Sequence, residues 1–287
     1  MDIEITQLKM SYGRRPVLDI PELNIKSGYA YGLVGKNGAG KTTFFKCLTN
    51  IIIKYQGIIT IDNKNVRENP DVLQSVGIVL DGMSVYQDRT GWFNIDYFSK
   101  LRGTENRQLA EQLALELEMS EYLHHKVKTY SYGMTKKLIL LIALLHEPKL
   151  LILDEPFRGL DSETVAWFKY YLSKLTSKGM TLLISSHVKA DIVTLCDQVM
   201  VLQDGRVAKI LDLTSVDEAQ LRDIQTTNQA GFIAILETIG YPYEKNGQQL
   251  RLTIKDDRWI LVKQELLEQQ IEITELIPVH VLDQSLN

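Results

Sequence analysis

One octet constrains this chain more than any other stretch: Gly35, Lys36, Asn37, Gly38, Ala39, Gly40, Lys41 and Thr42, with Thr43 directly after it. The spacing is G-x-x-x-x-G-K-[ST], and the flanks suit it. "YGLVG" reads as a compact apolar strand leading in, and "FFKCLTNII" as a helix leading out. The glycines let the backbone curl so that successive N–H groups converge on a phosphate. Lys41 then reaches the β- and γ-phosphates of a nucleotide, and the Thr42 hydroxyl is placed to ligate Mg2+. The competing reading, a plain glycine-rich turn, has to treat both the pattern and its context as accidents.

A strand–loop–helix of this kind belongs at the end of a parallel sheet, and the rest of the chain supplies one. "SVGIVLD", "KLLILDE" and "MTLLISSH" are short apolar runs of buried-strand type. Helical spacing fills "RQLAEQLALELEM", and "SETVAWFKYYLSKLTSKG" reads as a helix stopped by Gly179. Ahead of the octet, "IEITQLKM" and "ELNIK" alternate as strands around the turn "SYGRRP", and "YQGIITIDNKNV" has hairpin character. The expectation is an α/β fold of the P-loop NTPase type, with an N-terminal antiparallel β subdomain and a helical subdomain at about residues 83–147. The composition shifts after about Asp212. From there a β-α-ββ-α-β order predicts a small α+β, ferredoxin-like domain over 213–287, apart from a nucleotide-binding domain over 1–212. Asn246-Gly247, between two alternating runs, predicts a type I′ hairpin.

Three further features fall at the ends of these elements. Asp154 and Glu155 follow four apolar residues, and an acid at the C-terminal end of a buried parallel strand lands beside the phosphate loop. Asp154 is read as a holder of Mg2+ and Glu155 as the base or orienter for an attacking water. Acids decorating a helix N-terminus are the plainer alternative. His187 follows "LLISS" at the same sheet edge and is read as a γ-phosphate contact. A lone histidine is more often structural, and the two upstream motifs reverse that weighting. Ser131, in "YSYGMTKKL", precedes the apolar run "LILLIALL". It reads as the N-cap of a buried helix, whose free N–H groups attract an anion.

Bulk properties narrow the partners. The net charge is −4 and Lys and Arg form no cluster, which argues against nucleic acid. Cys47 and Cys196 sit in apolar surroundings and read as small buried hydrophobes of a reducing cytosol. "MDIEITQLKM" carries acids where a secretory leader needs bases, and the longest apolar run is broken by "HEPK" before it reaches membrane-spanning length. A membrane role therefore has to act through partner subunits.

In order along the chain, "GKNGAGKT", "YSYGMTKKL", "LLILDEP", "GLD" and "ISSH" resemble the motifs of the ATP-binding subunit of an ATP-binding-cassette (ABC) transporter, over roughly residues 1–210. The resemblance implies ATP as ligand, with Mg2+, and a role for each motif. Tyr12 falls where the family stacks an aromatic on adenine. Ser131, Tyr132, Gly133 and Met134 fall at the family signature, whose helix N-terminus binds the γ-phosphate of ATP held by a second ATP-binding subunit. Asp161 falls on the loop that crosses to that partner. The implied protein is an ATP hydrolase at the cytoplasmic face of the cell membrane, driving membrane-spanning permease subunits. "S-x-G-M" resembles the branch of antibiotic-peptide export and lantibiotic self-protection, which implies export of a peptide or amphipathic compound.

Two departures stand out. Tyr132 replaces a signature glycine, a change that is easy at negative φ and costly at positive φ. Three readings stay open: tolerated variation, a weakened site, or an aromatic that stacks on the partner's nucleotide. Asp81 stands where the family has Gln at a strand end. It supplies an oxygen for Mg2+ with a shorter reach, and Gln87 is the alternative donor. Met83, Tyr86, Trp92 and Phe93 follow, read either as the surface that receives a permease helix or as the helical subdomain's own core. The final segment matches no catalytic motif, leaving a structural or dimer-supporting role against a regulatory one. The rival functions are a weakly hydrolysing regulatory cassette, a soluble non-transport cassette and a GTPase. The last lacks an N-K-x-D motif.

Overall fold

The computed structural model describes residues 1–213, 221–254 and 258–279. The chain divides into two compact units, Met1–Asp212 and Leu213–Asn287, each with its own apolar core.

The first unit opens with an antiparallel sheet of β1 (Ile3–Tyr12), β2 (Arg15–Ile25), β4 (Gln56–Ile61) and β5 (Lys64–Asn65), in the order β2-β1-β4-β5. Alternation along β1 buries Ile3, Ile5, Leu8 and Met10. The period slips once, at a bulge where Gln7 takes φ 52°. The second sheet holds β3 (Ala30–Val34), β6 (Val76–Val79), β7 (Leu150–Asp154), β8 (Thr181–Ser185), β9 (Gln198–Gln203) and β10 (Arg206–Asp212), in the order β10-β9-β3-β8-β7-β6. It is parallel except for β10, which runs antiparallel to β9. Every residue of β3, β7 and β8 is buried, as an apolar run covered on both faces requires. Strand β8 lies between β3 and β7. The strand leading to His187 therefore separates the one feeding the phosphate loop from the one carrying Asp154.

The helices start where the sequence supplies a cap. Thr90, Asn106, Ser131 and Asp161 accept from the N–H three residues on, opening α2 (Gly91–Leu101), α3 (Arg107–Glu116), α4 (Tyr132–Leu144) and α5 (Ser162–Thr176). Helix α1 (Lys41–Leu48) follows the phosphate loop, and α6 (Lys189–Leu195) follows His187. Full burial of Phe44 and Phe45 anchors α1 in the core shared with both sheets, at about 1.5–3 kcal/mol per side chain. Asn94 is fully buried on α2. Its amide accepts from the Tyr86 N–H and donates to the Tyr86 carbonyl, tying the preceding loop to the helix. Both cysteines are buried and unpaired, and burial pushes the Cys47 thiol up to about 12.

The second unit is β11 (Leu221–Thr226), α7 (Gln229–Ile239), β12 (Glu244–Asn246), β13 (Gln249–Thr253), α8 (Arg258–Glu268) and β14 (Ile273–Pro278). Its sheet is antiparallel in the order β12-β13-β11-β14. One side of the hairpin expectation is corrected. Asn246 pairs with Gln249, so the two loop residues are Gly247 and Gln248. Only Gly247 of these takes positive φ, 61°, which is the II′ pattern and not I′, because the asparagine lies outside the turn's central pair. Among the described residues no helix is long and apolar enough to cross a membrane.

Candidate active site

The loop at 35–42 is shaped by close approaches that exclude side chains. A Cβ on Gly35 would collide with the Leu202 carbonyl of β9, and Gly40 caps α1 at φ 107°. Lys41 is almost wholly buried, and its Nζ donates to the Gly35 carbonyl at 2.7 Å. Burial pushes its pKa down, while Glu155 and Asp154 push it back up.

Beside this loop is an open cleft of about 510 Å³. Of the residues singled out from sequence, Asn37, Gly38, Gly40, Lys41, Thr42, Thr43, Asp81, Asp154, Glu155 and His187 line it. Gly35, Lys36 and Ala39 shape the loop without lining the cleft. Tyr12 is at the end of β1, 55% exposed and also outside the lining. Gln87 is not in the lining, so of the two candidate oxygens only Asp81 is. Val17 and Arg158 complete the walls.

The centre of the cleft is a hydrogen-bonded carboxylate. The Thr42 hydroxyl donates to Asp154 Oδ2 at 2.6 Å, and the Ser185 hydroxyl donates to Asp154 Oδ1 at 2.5 Å. Asp154 is 1% exposed, so these two donors replace the water it gave up. The next residue, Glu155, adopts φ 49°, a strained region for a non-glycine residue. Its N–H donates to the Ser185 carbonyl and hydroxyl at 3.1 and 3.2 Å. That turn aims the side chain at His187, whose N–H donates to Oε2 at 3.3 Å. His187 Nε2 lies 3.2 Å from Oε1, close enough for an ion pair but not aligned as a hydrogen bond. Oε1 therefore remains buried without a hydrogen-bond partner.

A second network holds the His187 segment. Ser186 donates to Asp191 Oδ2 at 2.9 Å and accepts from the Val188 N–H, while Lys169 on α5 pairs with Asp191 at 2.6 Å. Sequence reasoning passed over Ser185, Ser186, Asp191 and Lys169. The available signal was two consecutive hydroxyls, Ser185 and Ser186, closing an apolar run just ahead of His187.

The signature turn is elsewhere on the first unit. Ser131 Oγ accepts from the Met134 N–H at 3.2 Å. Tyr132 is the first residue of α4 and is not at positive φ, so the glycine-to-tyrosine exchange carries no backbone strain. Its ring is 60% exposed. Gly133 and Met134 continue the first turn of α4. Asp161 caps α5 through the Thr164 N–H at 2.8 Å, which holds its carboxyl below the usual range.

A family model described as "ABC transporter" matches residues 18–158. The bacitracin transport ATP-binding protein BcrA of Enterococcus faecalis is 34% identical, over 82% of this chain and 78% of that protein. The lantibiotic transport ATP-binding protein SrtF of Streptococcus pyogenes is 31% identical, over 71% and 88%. A solved ATP-binding subunit of an ABC transporter superposes with a TM-score of 0.69 at 26% identity, covering 74% of this chain and 90% of that one. The chain belongs to the ATP-binding subunits of ABC transporters, and it is an ATP hydrolase.

Proposed function

We propose that this chain powers export of a peptide or amphipathic compound, as one of two ATP-binding subunits docked on membrane-spanning permease subunits at the cytoplasmic face of the membrane. Similarity to BcrA and SrtF supports the cargo class. Residues 1–212 are the catalytic domain, and 213–287 an accessory domain with a structural role in the dimer.

The observation that carries the hydrolytic part is the pairing of a satisfied carboxylate with an unsatisfied one. Asp154 is hydrogen-bonded on both oxygens, whereas Glu155 Oε1 accepts no hydrogen bond and lies 3.2 Å from His187 Nε2. A base that takes a proton from water needs such an oxygen. His187 then orients Glu155 and contacts the γ-phosphate. The loop N–H groups and Lys41 bind the β- and γ-phosphates. Asp154, Thr42 and Asp81 all line the cleft with oxygen atoms, a donor chemistry that suits a hard cation. Mg2+ held there would neutralise negative charge on the bound phosphates. Tyr12, with its exposed ring, receives the adenine.

The second subunit adds Ser131, Gly133 and the first N–H groups of α4 from across the interface, and Asp161 approaches with them. Those donors are at the chain's surface, where they can meet a second subunit. Docking to the permease uses the aromatic face of the helical stretch. Tyr86 packs edge-on against Phe93 and Tyr97 while all three remain exposed, together with Met83.

Glu155→Gln keeps the shape and removes the base. Turnover should fall at least about 100-fold, while ATP with Mg2+ accumulates a dimer on size-exclusion chromatography. Hydrolysis at the wild-type rate would remove Glu155 from the mechanism.

A further inference from the structure

Tyr132 is the residue at which this chain departs from the usual signature, and its contact is unusual. A Cβ placed on Gly159 would fall 2.6 Å from Tyr132 Cδ1 and nearer still to Cε1. The tyrosine ring thus lies directly over the Gly159 α-carbon, in space that any other residue at 159 would fill. Gly159 also has φ +80°, which L side chains rarely adopt. The same turn approaches again at Gly133, where a Cβ would sit 3.2 Å from the Gly159 carbonyl. Two residues past Gly159, Asp161 is held from the other side. It caps α5 through the N–H and hydroxyl of Thr164, each at 2.8 Å, and lies 3.8 Å from Lys137 Nζ on α4. The Gly159–Asp161 loop is therefore fastened to the signature helix at both ends: by an aromatic ring at Gly159 and by an ion pair at Asp161.

We propose that Tyr132 is a positioning residue that locks the signature turn to the Asp161 loop, so that both reach the partner's nucleotide as one rigid edge. A glycine at 132 would leave the loop held at its Asp161 end alone, and the two would move separately. The contact is made by the ring, not the hydroxyl, which has no hydrogen bond among the described residues. The proposal rests on the head-to-tail reading above, in which Ser131 and Asp161 serve the opposite site.

The test is a double-mutant cycle on the full chain, reading Mg-ATP hydrolysis. Tyr132→Gly should lower kcat about fivefold with KM for ATP within about twofold, whereas Tyr132→Phe should keep kcat within about twofold. Gly159→Ala should lower kcat at least as much, since its Cβ displaces the ring. In the Tyr132→Gly background the same alanine should cost less than half its effect on wild type, because the clash has gone. The φ penalty of alanine is common to both backgrounds and cancels in the comparison. Thermal melts accompany each variant, and Tyr132→Leu replaces Tyr132→Gly if the glycine protein melts below the assay temperature. Multiplicative effects, or a Tyr132→Gly protein with wild-type kcat, overturn the lock. If the cycle multiplies while Glu155→Gln still traps a dimer, the lock alone fails. If Glu155→Gln neither slows turnover nor traps a dimer, the reading beneath it fails as well.

Discussion

The loop at Lys41 and the turn at Ser131 are both helix N-termini suited to phosphate, yet they are built to different degrees of completion. At Lys41 the structure supplies a curled backbone, a desolvated ammonium and, bonded to the adjacent Thr42, a carboxylate satisfied on both oxygens. At Ser131 it supplies a serine whose hydroxyl is occupied with capping its own helix, and an exposed tyrosine. The first has the preorganised charge that makes catalysis efficient, because its dipoles are fixed before the substrate arrives. The second has direction without surroundings. On the head-to-tail reading proposed above, burial separates the site a single chain completes from the one it lends to another.

That contrast can be attacked at its strong end first. Asp154→Asn removes the charge that Thr42 and Ser185 were arranged to meet. Hydrolysis should fall on the order of 100-fold, and the Mg2+ dependence of ATP binding, followed by calorimetry, should weaken with it. If the Asn variant binds and hydrolyses Mg-ATP normally, the cleft is not the complete half of the pair. Ser131→Ala should act less and differently. Loss of the cap costs about 1 kcal/mol of stability. Turnover should drop about tenfold, while ATP affinity of the isolated chain stays within about twofold. An affinity loss in the isolated chain equal to the turnover loss would place Ser131 in its own chain's site.

The smallest effect comes from a buried pair outside the cleft lining and serves as a control on both sites. Arg102 donates to the carbonyls of Leu73, Gln74 and Val76 and lies 3.2 Å from His146 Nε2. Burial, reinforced by the Arg102 charge, pushes His146 down to about 4. The unfolded chain takes up that proton near 6.5. Between these values the unfolded state binds more protons, so stability is intact above about 6.5 and declines as pH falls toward 4. The melting temperature should drop by about 2–4 °C from pH 7 to pH 5, and His146→Gln should flatten that slope. A variant that keeps the full slope would move its origin elsewhere.

Much of this was legible because the phosphate loop and the acidic strand end obey spacing rules whose physics is local. Continuous apolar runs announced β3, β7 and β8, and a capping serine announced α4, whereas Asp161 was read as a loop residue and not as the cap of α5. What stayed hidden depended on which strands become neighbours. Ser185 meets Asp154 because β8 inserts between β3 and β7, an order no local pattern contains. Asp191 and Lys169 are far apart in sequence and adjacent only after α5 and α6 pack. The II′ turn at Gly247 was misread by one position, because register, not the Asn-Gly pair itself, decides which residues are central. The open question at Tyr132 turned on a single dihedral angle and on a glycine 27 positions away.

Asn94 has a mechanical consequence. Its buried amide holds Tyr86 by both backbone groups, so the aromatic face of α2 and the chain leading back toward Asp81 share one rigid crank. That stretch turns at Gly82, whose φ of 83° suits glycine. Through Asn94 the outer aromatics and a residue next to the cleft-lining Asp81 therefore belong to one short, internally bonded stretch of chain.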